Sequence, residues 1–332
     1  MRLPHRLAVA LPFVLAGALV AAFPGTARAA ANPGPGFPSQ YTAPYVETWG
    51  SSSAMADAES ATGLKYYTLA FILDGGGCNA TYDGNVAISD SGWLTAINNL
   101  RASGGDVIAS FGGASGTELA TSCTSVSALQ AQYQSVIDTL NLTRVDFDIE
   151  GAPLDNTAAN DRRNQALAAL QQHYASIGKT LTVDYTLPAA QSGLLADSLS
   201  LLNNAKSDGV NVNLVNIMTM DYGGSVSDMG QAAINAANAL HSQLGQIWTT
   251  KSSAQLWAME GNTPMIGVND TPGETFTIGN ATTVKSFASS NGIQQLSYWA
   301  LGRDKACATT GTLSSTCSGV SQSPYQFASI FI

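Results

Sequence analysis

Eight short runs rich in β-branched and aromatic residues recur along this 332-residue chain, with helix-forming stretches between them. The runs are Tyr45 to Trp49, Tyr66 to Leu73, Val107 to Phe111, Arg144 to Glu150, Leu181 to Leu187, Leu214 to Tyr222, Met265 to Val268 and Leu296 to Leu301. Between them lie stretches rich in Ala, Leu and Gln, such as 127–140, 160–177, 194–206, 228–244 and 281–291. Strands that alternate with helices pair in parallel through right-handed crossovers, and eight such units close most naturally into a (β/α)8 barrel. The alternative, an open doubly wound sheet, lacks its phosphate-cradling turn here, because no Gly-x-Gly-x-x-Gly follows the first run. Only about 25 residues separate the seventh run from the eighth, too few for a large inserted α+β domain.

The ends of the chain set the boundaries. Arg2 and Arg6, the apolar run Leu7 to Ala22, and Ala27-Arg28-Ala29 form the three zones of a secretory signal over residues 1–30. A Pro/Gly-rich lead-in over 31–43 reads as a stiff linker remnant, and the barrel is expected over 44–332. A secreted, extracellular protein is thus predicted, with no membrane span. The formal net charge is −9, and losing Arg2, Arg6 and Arg28 with the signal makes it about −12, a balance that disfavours nucleic acid and anionic membranes as partners. Four cysteines in an exported chain imply disulfides; the expected pairs are Cys78 with Cys123, across the loops after two successive strands, and Cys307 with Cys317. Neither metal nor cofactor is expected, since no cysteine and histidine spacing suits a metal and both mature histidines, His173 and His241, fall in helical stretches. A monomer is expected.

Barrel chemistry sits at the carboxyl ends of the strands. The fourth run places Val145, Phe147 and Ile149 on one face and Asp146, Asp148 and Glu150 on the other, the acids roughly 6.7 Å apart. Three acids in a row are costly to bury charged unless hydrogen bonds or shared protons compensate. Ser110-Phe-Gly-Gly113, Met220-Asp-Tyr222, Asn269-Asp270, Glu47-Thr-Trp49 and Tyr298-Trp299 end other runs. With no histidine at a strand end to serve as base for a serine, carboxylates must carry any reaction. Acids flanked by flat indoles suit glycoside hydrolysis, with Glu150 as proton donor, Asp148 beside it as like charge or proton partner, and Asp146 deeper as the group that tunes Asp148.

Val145-Asp-Phe-Asp-Ile-Glu150 resembles the DxxDxDxE signature of family 18 glycoside hydrolases, the chitinases, on barrel strand four. Ser110-Phe-Gly-Gly113 is similar to the family's SxGG, Met220-Asp-Tyr222 to its MxY, and Trp299 to its strand-eight tryptophan. The resemblance implies hydrolysis of β-1,4 links between N-acetylglucosamine units in chitin, with retention and with the sugar's own N-acetyl oxygen as nucleophile. It implies Glu150 as acid and then base, Asp148 holding the acetamido N–H, Asp146 supporting Asp148, Tyr222 bonding the acetamido oxygen, and Trp299 under the sugar. Met220 would pack in the same pocket, and Gly112 and Gly113 would let the backbone pass close beneath it. Trp49 and Asn269 are further candidates for substrate contact. Two departures stand out: Thr143, expected at a buried strand start, replaces the signature's first Asp, and Gly223 replaces an acid that often follows MxY. Asp221 is expected to face away from the site by strand alternation. A shallow groove, from the short strand-seven connection, favours attack within chains. The same residues would also serve an endo-β-N-acetylglucosaminidase acting on glycans, or a chitin-binding lectin, although Glu150 argues against the latter.

Overall fold

The structure, a computed structural model, describes residues 30–332; the expected signal, Ala30 apart, lies outside the described residues. Eight parallel strands close a barrel: β1 in two pieces, Tyr41–Thr42 and Tyr45–Glu47, then β2 Tyr66–Asp74, β3 Asp106–Gly112, β4 Arg144–Asp148, β5 Thr182–Ala190, β6 Val212–Met218, β7 Glu260–Thr263 and β8 Gln295–Leu296. Each pairs with its sequence neighbours, and β1 joins the two ends. Tyr41 lies opposite Gln295 of β8, whereas Tyr45 lies opposite Thr68 of β2. Pro44, with no N–H to give, falls between the two pieces, and its carbonyl accepts from Thr68 N–H at 3.0 Å. The fold is the predicted (β/α)8 barrel, with no large inserted domain.

Helices α1 Ala54–Thr62, α2 Ser91–Ala102, α3 Val126–Leu140, α4 Thr157–Ser176, α5 Ala196–Ser207, α6 Met229–Ile247, α7 Ile278–Asn291 and α8 Gln326–Phe331 cover the outside. α3 shows why they pack there. Ser125 caps its first turn by accepting from Ala128 N–H, and Leu129, Tyr133, Val136, Ile137 and Leu140 form one buried stripe. Tyr133 meets Phe111 of β3 and Phe147 of β4 edge-on at 4.9 and 5.1 Å. The apolar side of the fourth run is therefore the helix-covered side, and its acids face the barrel axis. Trp93 is buried in α2, as its helical setting suggested.

Both disulfides form as expected, Cys78 with Cys123 and Cys307 with Cys317. Among the described residues no helix is long and apolar enough to cross a membrane.

Four expectations need correction. The seventh strand is not Met265 to Val268 but Glu260–Thr263, and Gly267–Val268 instead pairs antiparallel with Thr275–Phe276 in a rim hairpin. The lead-in is no free linker: Ala31 N–H donates to Thr139 O at 2.8 Å, Gly36 N–H to Asp106 Oδ2 at 3.2 Å, and Phe37 packs on Tyr41 and Tyr66. Tyr41–Thr42 already belongs to the sheet, so the barrel starts before residue 44. Thr143 is exposed rather than buried.

Candidate active site

The inner face of β4 carries Arg144, Asp146 and Asp148 from one mouth of the barrel to the other. Arg144 pairs with Asp184 Oδ2 at 2.8 Å near the amino mouth. Asp146, in the middle, is fully enclosed and accepts from Ser110 Oγ at 2.6 Å, Thr186 Oγ1 at 2.8 Å and Tyr45 O–H at 3.3 Å. Burial pushes its carboxyl up to about 7 in spite of those three donors, which pull the other way. Asp148, at the carboxyl mouth, is buried, with Oδ1 lacking any hydrogen-bond partner. Burial first, then the like charges of Glu150 and Asp146, raise its proton affinity well above the carboxylate range. Glu150 follows the strand and is half-buried; burial raises it, a hydrogen bond with Asp148 lowers it, and Asp221 raises it again. Asp148 and Glu150 therefore titrate as a pair, both held above the usual carboxylate range.

The end of β3 fixes this pair. Gly113 N–H donates to Asp148 O at 2.9 Å. Gly112, at φ +109°, comes so close to β4 that a Cβ there would lie 2.1 Å from the same oxygen. One at Gly113 would lie 2.6 Å from the Phe71 ring. Only glycine permits this approach.

Above them opens a cavity of ≈ 230 Å³, walled by Asp148, Glu150, Tyr45, Phe71, Trp299, Met218, Met220, Asp221 and Asp270. Trp299 stacks nearly parallel on Phe71, centroids 5.8 Å apart and planes 13° apart. Trp49 lies 6.3 Å beyond Trp299 and is 55% exposed, so the aromatic surface continues from the cavity into solvent. A second cavity, of ≈ 240 Å³, lies at the amino-terminal face beside Lys285 and Phe331, and no acid lines it.

Seven of the expected residues thus come together: Asp146, Asp148, Glu150, Trp299, Met220, Gly112 and Gly113, with Trp49 at the rim. Two do not. Tyr222 is outside the cavity wall; its hydroxyl is buried without a partner, and its backbone N–H donates to Glu274 Oε2 at 3.1 Å. Asn269 is buried in its own loop, donating through Nδ2 to Met265 O at 2.9 Å and Gly267 O at 3.0 Å. Conversely, Asp221 does reach the cavity. β6 ends at Met218, and Asp221 adopts φ +49°, so the strand alternation that turned it away no longer applies. Asp270, named with Asn269 at the end of the seventh run, is the residue of that pair that lines the cavity.

Sequence reading also missed a row of Ser253, His241 and Glu260. His241 Nε2 lies 3.0 Å from Ser253 Oγ, and Nδ1 lies 3.1 Å from Glu260 Oε1. It sits at the amino end of β7, away from the cavity. Burial raises Glu260 to about 10 and lowers His241, so the acid is protonated at neutral pH and supplies no charge to make the imidazole a base.

A closed parallel barrel with a proton-sharing carboxyl pair at its carboxyl mouth is the architecture of a barrel glycoside hydrolase. Glycosyl hydrolases family 18 matches residues 41–327, and the chain belongs to that family. It is 35% identical over 322 residues to a probable bifunctional chitinase/lysozyme of Escherichia coli K12, covering 92% of this chain and 36% of that protein. It is 35% identical over 302 residues to endochitinase 11 of Metarhizium anisopliae, covering 88% and 58%. The chain thus spans well under two thirds of either curated relative. The crystal structure of the catalytic domain of a hyperthermophilic chitinase from Pyrococcus furiosus is similar at 32% identity and TM-score 0.81, over 91% of this chain and 95% of that one.

Proposed function

We propose that this protein is an exported, monomeric chitinase that cleaves β-1,4 links between N-acetylglucosamine units within chitin chains, with retention, using the substrate's acetamido oxygen as nucleophile. The observation that carries this reading is the buried, unpartnered Oδ1 of Asp148 beside Glu150. A buried carboxylate oxygen without a donor is costly, and a substrate that brings an N–H satisfies it. The acetamido group of the sugar is such a donor.

A proton sequence follows. With no substrate bound, Asp148 and Glu150 share a proton. When the acetamido N–H reaches Oδ1, the charged form of Asp148 is favoured and the proton moves to Glu150. Glu150 then protonates the leaving oxygen as the acetamido oxygen closes on the anomeric carbon, and the carboxylate it becomes takes a proton from the water that opens the oxazolinium ion. Asp146, held by Ser110, Thr186 and Tyr45, shapes the charge that Asp148 can accept. Trp299 offers a flat face to the sugar and Trp49 a second, more exposed one. The short connection between β7 and β8, a hairpin and one helix, adds no large domain beside the cavity, which favours attack inside a chain.

The test is to incubate wild type and Glu150→Gln with chitin oligomers and with a high-mannose glycopeptide and weigh the products. Wild type should release N,N′-diacetylchitobiose from the oligomers, and the variant should be slower by about a thousandfold while folding normally. Cleavage of the glycopeptide alone would move the reading to an endo-β-N-acetylglucosaminidase. Equal rates in both forms would remove Glu150 from the proton's path.

A further inference from the structure

The loop after β6 brings Met220 and Asp221 into the cavity, yet nothing in the loop itself holds it there. Asp221 is in the left-handed region, which Asp enters more readily than most non-glycine residues but still uncommonly. Gly223 and Gly224, both exposed, meet nothing within 4 Å of where a side chain would start. The constraint comes from the rim hairpin on the far side of β7. Thr271 N–H donates to Asp221 Oδ1 at 2.6 Å. Val226 N–H donates to Gly273 O at 3.3 Å, and Val226 and Glu274 form an isolated parallel bridge. Gly273 lies so close that a Cβ would sit 2.9 Å from Ser225 Oγ.

At the centre is Glu274. It is 1% exposed, it takes the Tyr222 N–H on Oε2 at 3.1 Å, and its Oε1 is buried without a partner. The peptide N–H groups of Gly224 and Asp221 also favour its charged form, against its burial and against the Asp221 carboxylate. A carboxylate buried against the peptide groups of a turn fixes that turn's direction, because the acceptor it offers is stronger than water and cannot move away.

We propose that Glu274 is a positioning residue for the reaction: by anchoring the peptide after Asp221, it keeps the Asp221 carboxylate among the acids that line the cavity with Glu150. The proposal deepens the glycosidase reading and rests on it for its kinetic arm alone. The charged and titratable groups around Glu150 are Asp148, Asp221 and Asp270 on the cavity wall, with Asp146 behind Asp148 and Tyr45 beside them. Those around Glu274 are Asp221 and Tyr222, and Arg303 is the cation near Asp221 and Asp270. Of the groups around Glu150, Asp221 is the one carried by the loop that Glu274 holds.

The experiment compares wild type, Glu274→Gln, Asp221→Asn and the double variant in two ways. In the ligand-free proteins, the carboxyl titration of the Asp148 and Glu150 pair is followed by carbon-13 NMR. Glu274→Gln should lower the Glu150 midpoint by about half a unit, in the same direction as Asp221→Asn. With a chromogenic chito-oligosaccharide, the basic limb of the kcat profile should move down by a similar amount, kcat should fall about tenfold, and KM should change by about twofold or less. The double variant should be no worse than Asp221→Asn, because both act through one carboxylate. A Glu274→Gln protein that melts earlier but keeps the wild-type NMR midpoint overturns the proposal and leaves Glu274 a purely structural residue. An additive double variant overturns it too. Failure of the wild type to cleave the chito-oligosaccharide would sink the substrate reading, while the NMR titration would still decide the role of Glu274. If Glu274→Gln does not fold, Ser225→Pro, which disturbs the same clamp from the loop side, should reproduce the midpoint shift; an unchanged midpoint there also overturns the proposal.

Discussion

The two mouths of the barrel bury charge in opposite ways. At the amino mouth, Arg101 meets Asp106 at 2.9 Å with both side chains 2% exposed, and its remaining N–H groups go to the carbonyls of Asn32, Leu140 and Asn141. Arg144 meets Asp184 there and lies over the rings of Phe37 and Tyr41. At the carboxyl mouth, Asp146 and Asp148 are enclosed and Glu150 half-buried, with no basic side chain within ion-pair distance among the described residues. Arg101 with Asp106 and Arg144 with Asp184 are paired and inert; at the carboxyl mouth the acids repel, and protons relieve the repulsion. The same strand, β4, contributes to both ends, so the difference comes from the partners each end receives and not from the strand.

Breaking a pair at the amino mouth should have the largest effect. Arg101→Met strands Asp106 in a dry site and should cost about 3–5 kcal/mol of stability by urea unfolding, with kcat unchanged. A small loss would mean that the amino mouth is wetter than its burial indicates. The next effect concerns pH. Asp146 has a folded pKa of about 7, above the unfolded value of about 3.9. The native state therefore keeps a proton that the unfolded chain has released. Its contribution is fully present below about pH 4 and is lost as pH rises to about 7, a decline of up to about 4 kcal/mol. Asp146→Asn should flatten the fall in stability across that window; an unchanged slope would mean that Asp146 does not carry the proton responsible. Asp148→Asn removes one of two repelling carboxyls. It should lower kcat about a hundredfold yet raise the unfolding free energy by about 1 kcal/mol, the reverse of Arg101→Met. Loss of both activity and stability would erase the contrast between the mouths. The smallest effect is expected for Trp49→Ala, with KM for a long chito-oligosaccharide rising about fivefold and kcat holding, since an exposed ring contributes only about 1 kcal/mol of stacking.

The sequence made the barrel and the acid row legible because both rest on simple periods: eight strand and helix alternations, and a two-residue repeat in β4. It failed where those periods stop. β7 reads Glu-Gly-Asn-Thr, with no apolar signal, because its polar side chains find partners on the β6 segment and on α6, Asn262 Nδ2 donating to Ala233 O at 3.3 Å. Thr263 Oγ1 donates to Asn216 Oδ1 at 2.8 Å, and Asn262 Oδ1 accepts from Thr219 Oγ1 at 2.7 Å. The more apolar Met265 to Val268 took its place by pattern alone. Tyr222 and Asp221 exchanged places relative to the cavity because the alternation was carried four residues past the true end of β6. The lead-in looked like a linker because its Pro and Gly content marks turns, whereas Phe37 and the backbone around Ala31 and Gly36 make it a plug for the amino mouth.

The divided first strand has a kinetic consequence. Tyr41–Thr42 hydrogen-bonds with β8 across some 250 residues of chain, while Tyr45–Glu47 pairs with the nearby β2. The early strands can assemble as a curved, open sheet, but the ring cannot be completed until the eighth strand has been made and has travelled back to the first. Closure is therefore the event of highest contact order and should govern the folding rate. Until then β1 presents an unpaired edge, and the chain remains an open ribbon whose two ends have not met.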